Sequence, residues 1–247
     1  AGDLDPRLGA FDAPYIYRDL AHNEAVFNPF TSEPLRVINE ALEDDHVMLV
    51  TAFSSGDRHI TCNFPIYSLD DMKGAKIRVV SSDLYQVLFA NAFGCAATPM
   101  AFSEVATALI TNVIDGQENP YSTIVTSALY EIQAYCMETA HLPTNLGLWM
   151  NRETYDSLTE SQQQAVLQAA VDATHEMNAK TLEQEAEYRQ TCLDAGMTII
   201  NEENGLQLDE FRAAAESVYD YFADDWGEMT DLIRNTGLED SAAEEAA

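Results

Sequence analysis

Between Thr159 and Gly196 the chain offers one long helix, and no other segment constrains the fold as strongly. Thr159 and Gln162 form a capping-box pair at its start, and neither glycine nor proline follows until Gly196. A helix continuous from Thr159 to Leu193 would hold about 35 residues, against the ~20 at which most globular helices stop. Such an element is expected to span more than one domain.

Around it, strand signals alternate with helix signals. Val47 to Phe53 is an unbroken apolar run, the pattern of a strand buried on both faces. Further strands are expected at 76–80, 96–100, 134–142, 147–151 and 197–200. Helices are expected near 18–27, at 34–43, and at 82–93, where Gly94 stops the last of them. Ser68 and Asp71 cap a single turn that ends at Gly74, and Ser103 caps a helix that closes at Asp115-Gly116. Gln117-Glu118-Asn119-Pro120 reads as a polar loop, followed by a helix ending near 129–130. Phe211, Ala215, Val218, Phe222, Trp226, Met229 and Ile233 recur at helical spacing. This alternation gives an α/β architecture with a largely parallel sheet. No repeat or low-complexity linker interrupts the chain, so any division into domains must be made by crossing strands.

Charge narrows the partners. The 247 residues include 12 Lys+Arg against 42 Asp+Glu, a formal net charge of −30, while 47% are hydrophobic and can build a real core. That surface repels phosphate, which argues against nucleic acid and anionic membranes as partners. No apolar run approaches the ~18 residues of a membrane span. Any anionic ligand must be held by a few local cations. The first residues carry neither an initiator Met nor a signal-peptide pattern, so the chain reads as processed or truncated. Residues 241–247 are expected to form a disordered acidic tail.

Catalytic and metal signals are missing. Cys62, Cys95, Cys136 and Cys192 stand far apart without a Cys-x-x-Cys pair, and buried free thiols are their expected state. The five histidines lack metal-ligand spacing, and no nucleophile elbow, dinucleotide fingerprint or P-loop occurs. No cofactor, no metal and no enzymatic activity are expected.

Two arginines stand out. Arg58 and Arg78 lie twenty residues apart, each at an end of an apolar strand. A cation there needs an answering anion, either a protein carboxylate or a ligand, and the planar guanidinium fork suits a ligand carboxylate. Both readings stay open. Glu118 and Asn119 belong either to a ligand-reading loop or to an ordinary turn. Phe102, ahead of Ser103, either stacks on a ligand or staples the helix.

Three blocks then carry a family resemblance. These are Asp70-Asp71-Met72-Lys73-Gly74-Ala75-Lys76-Ile77-Arg78-Val79, Thr98-Pro99-Met100-Ala101-Phe102-Ser103-Glu104-Val105 and Asp115-Gly116-Gln117-Glu118-Asn119-Pro120. In order and spacing they resemble the DctP-type solute-binding proteins of TRAP transporters. Gly56-Asp57-Arg58, Ala13-Pro14-Tyr15-Ile16-Tyr17, Tyr130-Glu131-Ile132-Gln133, His141 and Leu158 to Gln163 extend the likeness over nearly the whole chain.

The resemblance implies a two-lobed, periplasmic-binding-protein-like (type II-like) α/β fold with a long helix spanning both lobes. It places 1–55 with 144–183 in lobe one and 56–143 with 184–240 in lobe two, with hinge closure on the ligand. It implies that Arg78 makes the principal salt bridge to a ligand carboxylate, joined by Arg58, Asn119, Phe102 and Glu118. The implied function is extracytoplasmic capture of a small organic acid for the TRAP membrane permease subunits, by a monomer that is periplasmic or lipid-anchored. A ligand-sensing module of a signalling system would use the same fold. The family's opening strand and helix have no counterpart here, so lobe one is expected to be incomplete, with strand edges and apolar surface exposed.

Overall fold

The computed structural model describes residues 4–238, and the expected tail at 241–247 lies outside them. The long helix is present and unbroken from Glu160–Asp194. Gln162 Oε1 accepts from the Thr159 backbone N–H at 2.9 Å, and Gly196 takes φ +94° just beyond the helix end. Among the described residues the strands are, in chain order, β1 Val47–Asp57, β2 His59–Cys62, β3 Lys76–Val79, β4 Ala96–Pro99, β5 Gly116–Asn119, β6 Tyr135–Met137, β7 Pro143–Asn151 and β8 Thr198–Ile200.

The chain forms two compact units. The first comprises the described chain up to Ser55, Asn145–Thr181, and the described residues from Ala223 onward; the second comprises Gly56–Thr144 and Leu182–Phe222. This corrects the assignment of 184–240 to a single lobe, because residues 223–238 pack in the first unit. Trp226 is buried against Gly9, where a Cβ would stand 2.7 Å from the indole Nε1. Arg18 donates to the carbonyls of Arg234 and Thr236 at 2.6 and 2.9 Å, and His22 Nε2 meets the Ile233 carbonyl at 2.8 Å.

In the first unit β1 pairs with β7 as a two-stranded sheet. The apolar residues of β1 are buried as the continuous run requires, and Met48 and Val50 pack on Leu167 and Ala170 of the long helix. Asn39 holds both backbone groups of Leu49, at 2.7 and 2.8 Å. On β7, Leu146, Leu148 and Trp149 are exposed.

The second unit is built on a six-stranded sheet of order β4-β3-β5-β2-β6-β8. β3 runs parallel to β4 and β5, and β6 parallel to β8, but β2 is antiparallel to both its neighbours. The sheet is therefore mixed rather than largely parallel. β2 leaves β1 after the single residue Arg58, so no crossover helix dictates its direction. One core gathers Val105, Leu109, Ile114, Ile124, Cys136, Cys192 and Ile199. All four cysteines are free and buried.

Several boundaries move. The helix expected to run to Asp115-Gly116 is Phe102–Ile110, with Ala101 rather than Ser103 at its N-cap. The strand expected over 134–142 is only Tyr135–Met137. The helix at 82–93 is α-helical for Asp83–Gln86 and then widens to a π turn over Val87–Ala92. The largest change is at 117–120. Residues 116–119 are not a loop but the strand β5, buried at every position. Gly116 is obligatory there, since a Cβ would lie 2.2 Å from the Thr61 carbonyl.

Candidate ligand-binding site

β3 and β5 are parallel neighbours, with Arg78 opposite Gln117. Their carboxyl ends place Arg78 and Asn119 on the same rim of the sheet, where open α/β sheets commonly hold ligands. Arg58 reaches that rim from the β1–β2 junction, and Phe102 from the start of its helix.

The two arginines divide the two readings left open above. Arg58, 6% exposed, is answered by a protein acid: its Nε donates to Glu118 Oε2 at 2.5 Å and its Nη2 to Oε1 at 3.0 Å. Nη2 also reaches the Glu118 carbonyl and Asn119 Oδ1, both at 3.0 Å. Arg78, 4% exposed, forms no ion pair with any described residue. Its Nε and Nη2 both donate to the Met100 carbonyl, at 3.1 and 2.9 Å. That single oxygen fixes one edge of the guanidinium and brings no formal charge. Burial pushes the Arg78 pKa down, against the pull of the Glu118 charge, but an arginine remains a cation.

Glu118 is fully buried, and burial alone would push its pKa up. The charge of Arg58 and the hydrogen bonds from His141 and Arg58 outweigh that and hold it below the usual carboxylate range. His141 Nε2 lies 3.3 Å from Glu118 Oε2, and its Nδ1 lies 2.8 Å from Thr139 Oγ1. An ionised carboxylate only accepts, so Nε2 carries the proton and Nδ1 accepts from the threonine hydroxyl. Burial lowers the His141 pKa, which keeps the ring neutral. Glu118, Arg58 and His141 thus form a charge-balanced chain.

The Asn119 amide is turned by its neighbours. Nδ2 donates to Gln117 Oε1 at 2.5 Å, Gln117 Nε2 donates to Thr61 Oγ1 at 2.9 Å, and that hydroxyl donates to Gln133 Oε1 at 3.1 Å. These bonds explain how so polar a strand survives burial: every side chain is answered by another. Phe102 occupies the first helical position, 42% exposed, with its ring centroid 5.7 Å from the Arg78 Cζ, and so does not act as a helix staple. His59, beside Arg58 in sequence, accepts instead from the Ala140 N–H at 3.2 Å and packs on Tyr121. Burial lowers its pKa to about 4.

The fold brings Arg58, Arg78, Phe102, Glu118 and Asn119 to one rim of the sheet. Spacing gave no warning of His141, Gln117 and Met100, whose roles depend on which strand lies beside which.

A model of the bacterial extracellular solute-binding proteins, family 7 (DctP), matches residues 1–225. The chain belongs to this family. Family 7 relatives include a solute-binding protein of Roseobacter denitrificans, 34% identical over 85% of this chain and 63% of its own length. The sialic acid-binding periplasmic protein SiaP of Vibrio cholerae is 30% identical over 90% of this chain and 67% of its own length. The C4-dicarboxylate-binding periplasmic protein DctP of Rhodobacter capsulatus is 31% identical over 96% and 67%. This chain therefore spans about two thirds of the length of these curated relatives. Among solved structures, a TRAP periplasmic solute-binding protein of Chromohalobacter salexigens with bound D-glucuronate superposes with a TM-score of 0.82 at 30% identity, covering 95% of this chain and 76% of that one. The two-lobed α/β fold of family 7, with its long helix, is the fold seen here. No helix among the described residues is long and apolar enough to cross a membrane.

Proposed function

We propose that this family 7 protein is the extracytoplasmic solute-binding component of a TRAP transporter, capturing a small organic carboxylate for delivery to the membrane permease. One observation carries the reading. Arg78 is a buried cation at the sheet rim, anchored by a neutral carbonyl and paired with no carboxylate among the described residues. A buried charge is costly unless answered, and a ligand carboxylate answers it with two parallel, charge-assisted hydrogen bonds.

Arg58 plays a different part. Its charge is spent on Glu118, so the site presents one net positive group rather than two, which suits a monoanionic carboxylate head. Asn119, turned by Gln117 and Arg58, and Phe102, lying over Arg78, complete the wall around that head. Relatives point the same way: their names include sialic acid, C4-dicarboxylates and D-glucuronate, all organic acids. They are named as binding proteins, which supports binding rather than catalysis, and as periplasmic, which supports an extracytoplasmic location.

Thermal-shift screening with organic acids, followed by calorimetry, tests the reading. A ligand at 100 times its Kd stabilises the folded state by about 2.7 kcal/mol. At least one carboxylate is expected to raise the Tm. Failure of every carboxylate to do so overturns the proposal.

A further inference from the structure

We propose that Asn204-Gly205, in the turn after β8, is a self-modification site that converts to aspartate and isoaspartate, and that two hydrogen bonds of the folded turn set its pace. Asn204 is the only asparagine in the chain followed by glycine, and both residues are exposed. Glycine matters here because it has no Cβ to shield its backbone nitrogen from the carboxamide before it.

The step is an acyl transfer within the chain. The Gly205 backbone nitrogen gives up its proton and attacks Asn204 Cγ. A new N–Cγ bond closes a succinimide ring, the Cγ–Nδ2 bond breaks, and Nδ2 leaves with a proton as ammonia. Water then opens the ring. Addition at Cγ restores the main chain and gives aspartate. Addition at the Asn204 main-chain carbonyl carbon gives isoaspartate, whose main chain runs through the former side chain. Nothing is oxidised or reduced: one water enters and one ammonia leaves.

The folded turn opposes the attack. Asn204 ends the short helical turn Glu202–Asn204, and Gly205 follows at φ +116°. The carboxamide is held back toward the strand: Oδ1 accepts from the Asn201 N–H and Nδ2 donates to the Ile199 carbonyl, both at 2.8 Å. The attacking nitrogen is engaged too, its N–H directed at the Glu202 carbonyl at 3.4 Å. Cγ must swing toward the C-terminal side before it meets that nitrogen, so the carboxamide bonds open first. Two hydrogen bonds of ordinary strength slow such a step by about tenfold or more.

The product undoes what held the turn. An aspartate keeps the acceptor for Asn201 but sets a carboxylate against the Ile199 carbonyl, where a donor stood. It also adds negative charge beside Glu202 and Glu203, in a chain already at −30. β8 pairs with β6 alone among the described strands, so the end of β8 has no second neighbour to hold it. Asn201, at that end, donates to Glu138 Oε2 at 3.1 Å, which ties the turn to the Glu138–Arg189 ion pair.

Incubating the full chain in mildly alkaline buffer made with oxygen-18 water, folded and in guanidinium chloride, tests this by peptide mapping. In the unfolded chain Asn204 is expected to be the first asparagine to take up label, as aspartate and isoaspartate peptides. In the folded protein its conversion is expected to be slower by about tenfold or more. Asn204→Gln, whose longer side chain closes the ring far less readily, is expected to stay unlabelled at this turn. Asn204→Asp is expected to lower the urea midpoint. Another asparagine reacting first in the unfolded chain, or equal rates at Asn204 in folded and unfolded protein, overturns the inference.

Discussion

Glu118 and Arg58 neutralise each other at 2.5 Å inside the second unit, and their pairing makes Arg78 different from Arg58. Both arginines are buried on one rim of one sheet. Among the described residues only the first is paired with a carboxylate, so the proposed ligand contact falls to the second.

Replacing Arg78 by Lys keeps the charge but loses the planar fork and one of the bonds to the Met100 carbonyl. Affinity for a carboxylate ligand is expected to fall by about 2 kcal/mol or more, some 30-fold. Calorimetry against the best acid from the screen measures it. Binding within a factor of two of wild type would remove Arg78 from the role.

Glu118→Gln leaves the Arg58 guanidinium buried without its counter-charge. Removing one member of a buried pair typically costs about 3–5 kcal/mol, read here as a lower urea midpoint. The double variant Arg58→Met/Glu118→Leu is expected to be less destabilised than Glu118→Gln alone, because no unpaired charge remains. Equal losses would show that packing, not charge, sets the cost.

Glu185, on the long helix, accepts from the Ser122 N–H at 3.0 Å. Burial pushes its pKa up to about 7, with nearby Asp57 acting in the same direction and the backbone bonds opposing. A carboxyl raised in this way contributes stability below its unfolded pKa, about 4.5, and loses that contribution as pH rises through about 7. Glu185→Gln retains an acceptor for Ser122 and carries no charge. Its Tm gain over wild type is therefore expected to grow between pH 5 and pH 8, by about 2–4 °C for each kcal/mol recovered. The difference between the two proteins isolates Glu185 from the buried histidines, whose lowered pKa values remove stability as pH falls below about 6.5. A pH-independent difference would refute the assignment.

Gly56 has φ +94°, and a Cβ there would lie 2.7 Å from the Glu185 Cδ. Gly56→Ala is expected to cost about 1–3 kcal/mol in urea unfolding, from the left-handed backbone and the clash together. Adding Glu185→Ala should recover the clash and not the backbone strain. Full recovery would mean that the conformation itself is costless.

The long helix was legible because thirty-odd residues without glycine or proline, opened by Thr159 and Gln162, admit little else. β1 was legible as an apolar run too short for a helix and bounded by polar residues. Ser68, Asp71 and Gly74 marked a single turn by local chemistry, and the capping box is there. β5 was not legible. Gln117, Glu118 and Asn119 read as a loop because polar residues normally face water, and the partners that let them do otherwise are 56 to 61 residues away in sequence. The same holds for residues 223–238, which helical periodicity could count as helix but not assign to a unit.

The sequence by itself determined the helix–strand order, the acidic exterior, the scarcity of cations and the identity of the two arginines worth watching. Those properties are local, or are sums over the chain, and need no knowledge of what lies beside what. Tertiary structure decided which arginine is answered by Glu118, where His141 stands, and that Gly116–Asn119 is a buried strand. Charge cancellation and hydrogen-bond satisfaction depend on separations of a few ångströms between residues far apart along the chain. Only the packed fold sets those separations, and with them which of the two arginines is paired with Glu118.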